Sequence, residues 1–336
     1  MASAAEPPPM TLIRLMTGHW VAQAIFAVAA LDVAGAIVGG ARTSDELASR
    51  CGANASALHR VMRALAGVGV FEHQPPDSWR LGPLGELLRT DQPGSLRPMA
   101  LMFGDEQYRA WGDVVHSVTT GEPAFPHVFG VDYFEYLAEH PQTGEVFNAA
   151  MTGVSVQLIS AVTEAYDFSR FDTVADIGGG HGALLTAILH AAPAARGILF
   201  DQPHVVADAG IDSSVVPERC TTVGGDFFVD VPGGADAYVM AQILHDWDDA
   251  RAVEILSCCR RSMAADATLL VVDFVIPEVG AEPNYGTWLD LHMLVLFGSR
   301  ERTAPEFADL LGRAGFELTR IIPTLAGPSV VEARPC

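Results

Sequence analysis

The chain contains no lysine, and all 20 of its basic residues are arginines. There is therefore no P-loop lysine, no lysine to form a Schiff base with pyridoxal phosphate, and no lysine for the tyrosine–lysine pair of short-chain dehydrogenases. This absence excludes three common kinds of enzyme chemistry before any motif is considered.

Cysteine is also scarce. The five cysteines are odd in number and form no C-x-x-C pair, which argues against a zinc cluster or a disulfide framework and favours a reducing compartment. No basic segment precedes the first apolar stretch, so a secretory signal is not expected. We therefore predict a cytoplasmic protein without a bound metal.

Positive charge is lacking from most of the chain. Residues 1–100 hold 8 arginines and 8 acidic residues, whereas residues 101–336 hold 12 arginines and 33 acidic residues and so carry the whole net charge of −21. Such a protein is a poor candidate for binding nucleic acid or an anionic membrane. The apolar run 21–41 has about the length of a membrane span, but Asp32 lies in its middle and favours a buried helix pair.

A length of 336 residues predicts about two domains. We expect a disordered tail over residues 1–9 and a module of helices followed by a two-stranded hairpin over 10–100. Thr43 and Glu46 are typical of a helix start, and Pro75-Pro76-Asp77 is typical of a hairpin turn. This winged-helix-like layout fits DNA binding through Arg60 and Arg63 or a dimerisation domain, and the charge favours dimerisation.

The remainder divides into a helical linker, 101–168, rich in aromatic residues that we expect to line a substrate pocket, and an α/β domain, 169–336. Strands are predicted at 173–177, 197–201, 220–224, 236–242, 267–274, 316–322 and 328–334. Helical patterns fall between most of them. The fold class is therefore α/β, with a Rossmann-like, doubly wound, seven-stranded and mainly parallel sheet.

The stretch Thr173–Thr186, TVADIGGGHGALLT, combines a strand, a glycine turn and a helix. Asp201 ends the next strand about twenty residues later, where an acid can bind a ribose diol. A turn without ligand, a nicotinamide dinucleotide and S-adenosylmethionine all remain open. The D-x-G-x-G-x-G pattern favours S-adenosylmethionine, because the Asp176 carboxylate would repel a pyrophosphate and attract a sulfonium.

Other candidate site residues follow later strands. Asp226 and Phe227 can accept an adenine amino group and lie beside its ring. His245 follows the strand predicted over 237–244 and is suited to take a proton near neutral pH. Asp273 or Glu301 can supply the carboxylate that orients its ring. A surface or helix-capping histidine is an equal alternative on this pattern alone.

The motifs DIGGGHG, FDQPHV, GGDFF, ILHDWDD, VVDFVIPE, DLHML and SRERTAPEFADLLGRAGF, in this order, resemble the S-adenosylmethionine-dependent O-methyltransferases of the plant caffeate and bacterial polyketide-tailoring kind. The resemblance extends over nearly the whole chain. It implies an intertwined homodimer, S-adenosylmethionine as cofactor with S-adenosylhomocysteine as product, and a small aromatic acceptor.

The resemblance also implies roles for individual residues. His245 is the expected general base, flanked by Asp273 and Glu301. Cofactor contacts are expected from Ser155, Asp176, Gly178, Gly180, Asp201, Asp226, Phe227, Ala241, Gln242 and Trp247. Acceptor contacts are expected from Trp111, Met151, Asp246, His292 and Met293.

The chain departs from the family pattern at a few of these positions. Many bacterial relatives carry Asn at the position of His292 and Gly at that of Ser299, and Ser-Arg or a lysine is common where this chain has Ala241 and Gln242. These departures bear on the identity and orientation of the acceptor and on one cofactor contact more than on the type of reaction.

We therefore expect metal-independent methyl transfer to a hydroxyl, in particular a phenolic one. Three alternatives remain open. A relative of the same fold can use bound S-adenosylmethionine for hydroxylation, decarboxylation or cyclisation without transferring the methyl group, because fold does not determine function. The others are a winged-helix DNA-binding regulator and a nicotinamide-linked oxidoreductase, which the glycine pattern disfavours.

Overall fold

A computed structural model describes residues 7–92, 94–207, 209, 219–282 and 284–336. The chain divides into two compact units. Unit 1 comprises Met1–Gly112 and Phe134–Val154, and unit 2 comprises Asp113–Tyr133 and Ser155–Cys336. The segment 101–168, which the sequence predicts as one linker, is thus shared between the two units.

The helices are α1 Pro8–Met16, α2 Gly18–Ala30, α3 Val33–Val38, α4 Ser44–Cys51, α5 Ala55–Ala66, α6 Pro83–Glu86, α7 Arg97–Gly104, α8 Glu106–Trp111, α9 Val114–Thr120, α10 Ala124–Phe129, α11 Tyr133–Glu139, α12 Pro141–Ala165, α13 Ala183–Ala191, α14 Pro203–Ala207, α15 Asp249–Ser262, α16 Tyr285–Phe297 and α17 Ala304–Arg313. The strands are β1 Phe71–Gln74, β2 Ser78–Leu81, β3 Thr173–Ile177, β4 Arg196–Asp201, β5 Cys220–Gly224, β6 Ala237–Ala241, β7 Thr268–Asp273, β8 Val275–Ile276, β9 Arg302–Thr303, β10 Phe316–Pro323 and β11 Ser329–Pro335. A short 3₁₀ turn spans Leu244–Asp246.

The helix-and-hairpin layout predicted for unit 1 is present. Thr43 begins α4 with the predicted capping box, in which its side chain accepts a hydrogen bond from the backbone of Glu46 and the Glu46 side chain accepts one in return. Asn54 caps α5 through a single bond, in which its Oδ1 accepts from the backbone N–H of Ala57, and β1 pairs antiparallel with β2. Residues 1–6 of the predicted tail lie outside the described residues, and α1 already begins at Pro8, inside the predicted tail.

The first two helices expose many large apolar side chains. Met10, Leu12, Leu15, Met16 and Trp20 are each more than half exposed. The stretches Pro8–Ala30 and Pro141–Ala165 are long and apolar enough to cross a membrane by length and composition, with mean hydropathies of 1.3 and 1.4. Core helices of soluble proteins meet the same criterion, so these stretches alone do not assign a membrane location.

Unit 2 contains the predicted seven-stranded sheet, in the order β10-β11-β7-β6-β3-β4-β5. The five strands from β7 to β5 are parallel, and β10 and β11 form an antiparallel hairpin at one edge. Apolar side chains on both faces of the sheet are buried against helices. Burial on both faces explains why the sequences of the central strands are nearly continuous apolar runs.

The largest difference from the predicted strand boundaries is at the end of β6. Strand β6 ends at Ala241 rather than at Leu244, because Gln242 adopts a left-handed backbone conformation with φ of 57°. A non-glycine residue in this conformation interrupts the strand. His245 consequently lies on the 3₁₀ turn that follows.

The topology brings the predicted site to one edge of the sheet. The chain runs outward from β3 to β4 and β5 on one side and continues with β6 and β7 on the other. Ligands of such sheets bind beyond the carboxyl ends of the strands at this reversal. Asp176, Asp201, Ala241 and Asp273 all lie at or near those ends.

Candidate functional site

The glycine loop after β3 exposes bare backbone. A Cβ atom at Gly178 would lie 2.5 Å from Cδ1 of Ile243, whereas one at Gly180 would meet no atom within 4 Å. Both glycines have positive φ, at 72° and 57°, and the N–H of Gly180 donates to Oδ2 of Asp201 over 2.8 Å. The loop is thus held to the end of β4 and leaves space beside its backbone for a ligand.

Asp176 supports this loop from below. Asp176 is only 1% exposed. A Cβ atom added at Gly179 would lie 2.6 Å from Cγ of Asp176. Burial raises the pKa of this carboxyl to about 7, opposed by a hydrogen bond from the backbone of Leu185. The cofactor contact predicted for Asp176 stays a prediction, and the 1% exposure of this residue places its carboxylate beneath the loop.

Aromatic rings and a carboxylate follow β5. The rings of Phe227 and Trp247 meet edge to face with centroids 6.2 Å apart, and the guanidinium of Arg251 lies 3.6 Å from the ring centre of Phe228. Oδ1 of Asp226 accepts a hydrogen bond from the backbone of Phe228 over 2.9 Å. This wall combines acceptor oxygens with aromatic surface, as a purine base requires.

These groups fit the cofactor that the sequence predicts. The open backbone beside Gly180 admits a bulky polar ligand, and the Asp201 carboxylate stands at the end of β4 for the ribose hydroxyls. Asp226, Phe227 and Trp247 supply the carboxylate and the aromatic surface that suit an adenine, and their contact with it stays a prediction. All of these residues belong to unit 2.

His245 is held by a carboxylate. Its Nδ1 lies 2.9 Å from Oε1 of Glu301, and the exposed fractions of the two side chains are 12% and 0%. A carboxylate accepts hydrogen bonds, so in the neutral imidazole Nδ1 carries the proton and Nε2 is left to act as a base. Oδ1 of Asp246 lies 3.4 Å from Nε2.

The surrounding charges favour the protonated ring. Burial by itself lowers the pKa of His245, but the hydrogen bond to Glu301 and the negative charges of Asp273 and Asp246 outweigh it and raise this pKa to about 9. Burial raises the pKa of Asp273, and the positive charge of His245 opposes the increase. The neighbouring carboxylates thus stabilise a positive charge on the imidazole of His245.

Of the two carboxylates predicted to flank the imidazole, Glu301 binds it directly. Asp273 acts on the ring through its charge, and its Oδ1 accepts a hydrogen bond from Nε2 of Gln242 over 3.2 Å. The Gln242 amide was predicted to contact the cofactor. That contact stays a prediction, since the Gln242 side chain keeps its carbonyl oxygen as an acceptor while Nε2 donates to Asp273.

The structure adds residues that the sequence did not indicate. Oδ1 of Asp290, on α16, accepts a hydrogen bond from the backbone N–H of Glu301 over 2.9 Å. Arg302 is 1% exposed and binds the turn that carries His245. The only signal for either residue was its place inside the DLHML and SRERT motifs.

The predicted acceptor residues lie in both units. His292 and Met293 are on α16 of unit 2, where burial lowers the pKa of His292 to about 4 and Met293 is 4% exposed. His292 is therefore neutral near pH 7. Trp111 on α8 and Met151 on α12 are half-buried residues of unit 1. The remaining predicted cofactor residue in α12, Ser155, is half-buried and belongs to unit 2.

One further group of metal-ligating side chains exists among the described residues, Asp113, His116 and His127. Nδ1 of His127 lies 2.6 Å from Oδ2 of Asp113, and the two histidine rings stack with centroids 4.0 Å apart. This hydrogen bond and the ring stacking account for the arrangement without an ion.

Two family models and many known proteins match this chain. Residues 111–317 match the model of an O-methyltransferase domain, and residues 13–91 match that of an O-methyltransferase dimerisation domain. The phenazine O-methyltransferase of Lysobacter antibioticus is 52% identical over 333 residues, which cover 98% of this chain and 97% of that protein.

Two more relatives bear on the chemistry. The 8-amino-8-demethylriboflavin N,N-dimethyltransferase of Streptomyces davaonensis is 40% identical over 321 residues, covering 94% of this chain and 92% of that protein. A methyltransferase of calicheamicin biosynthesis, whose crystal structure was solved with S-adenosylhomocysteine bound, is 35% identical to this chain in sequence. It matches with a TM-score of 0.89 over 98% of each chain.

Proposed function

Because the chain belongs to the family of S-adenosylmethionine-dependent O-methyltransferases, we propose that it methylates a hydroxyl of an aromatic secondary metabolite without a metal ion. The proposed general base is His245. The observation that carries this assignment is the 2.9 Å contact between Nδ1 of His245 and Glu301, which leaves Nε2 as the basic atom.

When bound, S-adenosylmethionine supplies an electrophilic methyl group and is released as S-adenosylhomocysteine. Gly178 and Gly180 give its polar end access to the backbone of the loop. The Asp201 carboxylate is suited to bind its ribose. Asp226, Phe227 and Trp247 are suited to bind its adenine. Ala241 and Ser155 are further proposed contacts.

His245 takes the acceptor's hydroxyl proton onto Nε2 as the oxygen gains the methyl group. The resulting imidazolium is stabilised by Glu301 at Nδ1 and by the charge of Asp273. Asp246, which lies 3.4 Å from Nε2, has to yield that position to the hydroxyl. Most of the rate acceleration comes from holding the two reactants together in a site from which water is excluded.

We propose that the acceptor is a flat aromatic molecule contacted by Trp111, Met151, His292 and Met293. Several relatives, named for phenazine, aminohydroxybenzoate and mitomycin, support an aromatic acceptor. We also propose that the protein is a cytoplasmic homodimer, which the match of residues 13–91 to a dimerisation domain supports. The same match favours dimerisation over DNA binding for the helix-and-hairpin module.

Two other reactions keep the same cofactor. One relative is named as an N,N-dimethyltransferase, so nitrogen is an alternative acceptor atom. A reaction that uses bound S-adenosylmethionine without methyl transfer is the second alternative. His245 with its buried carboxylate partner favours methylation of a hydroxyl, because an ionising O–H needs a base.

The test is to incubate the enzyme with S-adenosylmethionine and a panel of hydroxylated aromatic compounds, phenazines included. We expect a product heavier by one methyl group and an equal amount of S-adenosylhomocysteine. His245→Gln should retain S-adenosylhomocysteine binding in calorimetry and lose about 10²–10⁴-fold in turnover. Unchanged turnover in this variant would contradict the assignment of the base.

A further inference from the structure

The turn that carries His245 has few hydrogen bonds of its own. Strand β6 stops at Ala241, and residues 244–246 form a single 3₁₀ turn before α15 begins at Asp249. Such short turns leave backbone carbonyl groups that need donors from elsewhere. The position of the histidine therefore depends on what binds these carbonyls.

Arg302 donates to two carbonyls of this turn, one of which, that of Leu244, also accepts the backbone N–H of Trp247 over 3.3 Å. Its Nη1 donates to the carbonyl of Leu244 over 2.8 Å, and its Nη2 donates to the carbonyl of Trp247 over 2.9 Å. Its Nε and Nη2 also donate to Oδ1 of Asp249 over 3.0 and 2.9 Å. One guanidinium thus binds the residue before His245, the residue two positions after it, and the first residue of α15.

The arginine itself is held firmly. Its side chain is 1% exposed, and its charge is balanced by Asp249. Its backbone belongs to β9, where it pairs with Val275, two residues after Asp273. It also directly follows Glu301, whose carboxylate binds the imidazole.

We propose that Arg302 is a positioning residue, which aligns the imidazole of His245 by binding the backbone on both sides of it. Glu301 and Arg302 are consecutive, so one short segment holds both the ring and the main chain of the base. A shift of the turn would move Nδ1 relative to Glu301. The planar fork of arginine suits acceptors spread along a turn, whereas the ammonium of lysine cannot match that geometry.

The test is Arg302→Lys, which keeps the charge and removes the fork. In the cofactor-free protein we expect the ¹⁵N NMR titration of His245 to move toward that of an ordinary histidine, because the contact with Glu301 loosens. In the complete enzyme, kcat should fall by as much as about 10²-fold, the cost of a small misplacement. Binding of S-adenosylhomocysteine should be retained.

The matched control is Arg313→Lys. Arg313 lies at the end of α17, and the ion pair recorded for it is one with the exposed Asp309, one helical turn away. This variant should behave as the wild type in both measurements. A folded R302K protein that loses only thermal stability, with the His245 titration and kcat unchanged, would overturn the proposal.

Asp249→Ala is a second test of the proposal in case the R302K protein does not fold. It removes the anchoring carboxylate, which is 41% exposed, and leaves both carbonyl acceptors. We expect a smaller shift of the His245 titration in the same direction, and a wild-type titration would also overturn the proposal.

The inference rests on the proposed role of His245, and the two can fail separately. If H245Q turns over normally, His245 is not the base. The NMR titration of cofactor-free R302K would still report whether Arg302 aligns the ring.

Discussion

Nδ1 of His245 lies 2.9 Å from Oε1 of Glu301, a residue 56 positions later in the chain, and the Glu301 side chain is fully buried. A buried carboxylate at this atom fixes the tautomer of the ring and stabilises the imidazolium that forms when Nε2 takes a proton. The basicity of the histidine is thus set by its neighbours.

Removing the negative charge of Glu301 should make His245 a weaker base. Glu301→Gln keeps an acceptor oxygen for Nδ1 but removes the negative charge, so the pKa of His245 should fall. We expect kcat to decrease by about 10²-fold, near the lower end of the usual cost of removing a general base. Glu317→Gln, at an exposed position of β10, serves as the control. Identical pH profiles for E301Q and the wild type would contradict this role.

The pH dependence of the wild type follows from the same cluster. The pKa of His245 in the free enzyme is about 9, and only the neutral ring can accept a proton. Below that pH the imidazolium predominates, so kcat/KM for the acceptor should rise with pH and level off only above about pH 9. Steady-state rates between pH 6 and 10 test this, and a profile that is flat across the range would be incompatible with His245 as the base.

Two neighbouring glycines should respond differently to alanine. A Cβ at Gly179 would clash with Asp176 and with Cδ1 of Leu199, at 2.6 Å from each, so Gly179→Ala should destabilise the fold by about 1–3 kcal/mol. Gly180→Ala meets open space but has a φ of 57°. It should cost about 1–2 kcal/mol in backbone strain and mainly weaken cofactor binding.

Denaturant unfolding and calorimetry with S-adenosylhomocysteine separate the two effects. Each variant is the control for the other. Equal cofactor affinity in G180A and the wild type would show that the ligand does not lie against this backbone.

The exposed apolar residues of α1 should belong to a dimer interface. Leu15 is 65% exposed and lies within residues 13–91, which match a dimerisation domain. Leu15→Glu should therefore lower the mass measured by light scattering toward that of one chain. Val118→Glu, at a 72% exposed position of α9, should leave the mass unchanged, and a dimer of undiminished stability in L15E would argue against this interface.

Most of the fold was predictable because its signals are local. The central strands are apolar runs bounded by turns, and the predicted ends of the seven sheet strands, with one exception, lie within one residue of the observed ends. The capping box at Thr43 and the glycine turn after β3 depend on residues only a few positions apart. The exception is the end of β6, where Gln242 takes a conformation that local preference disfavours.

The sequence by itself determined the seven-stranded sheet, the glycine loop and the candidate base His245, because periodicity and motif spacing reflect short-range geometry. Only the tertiary structure decided that Glu301 rather than Asp273 binds the imidazole, that Asp176 lies under the glycine loop, and that Arg302 binds the turn of the base. These outcomes depend on which of several acids and donors, distant in the chain, packing brings within 3 Å of one another. The spacing of residues along the chain does not indicate which of these contacts forms.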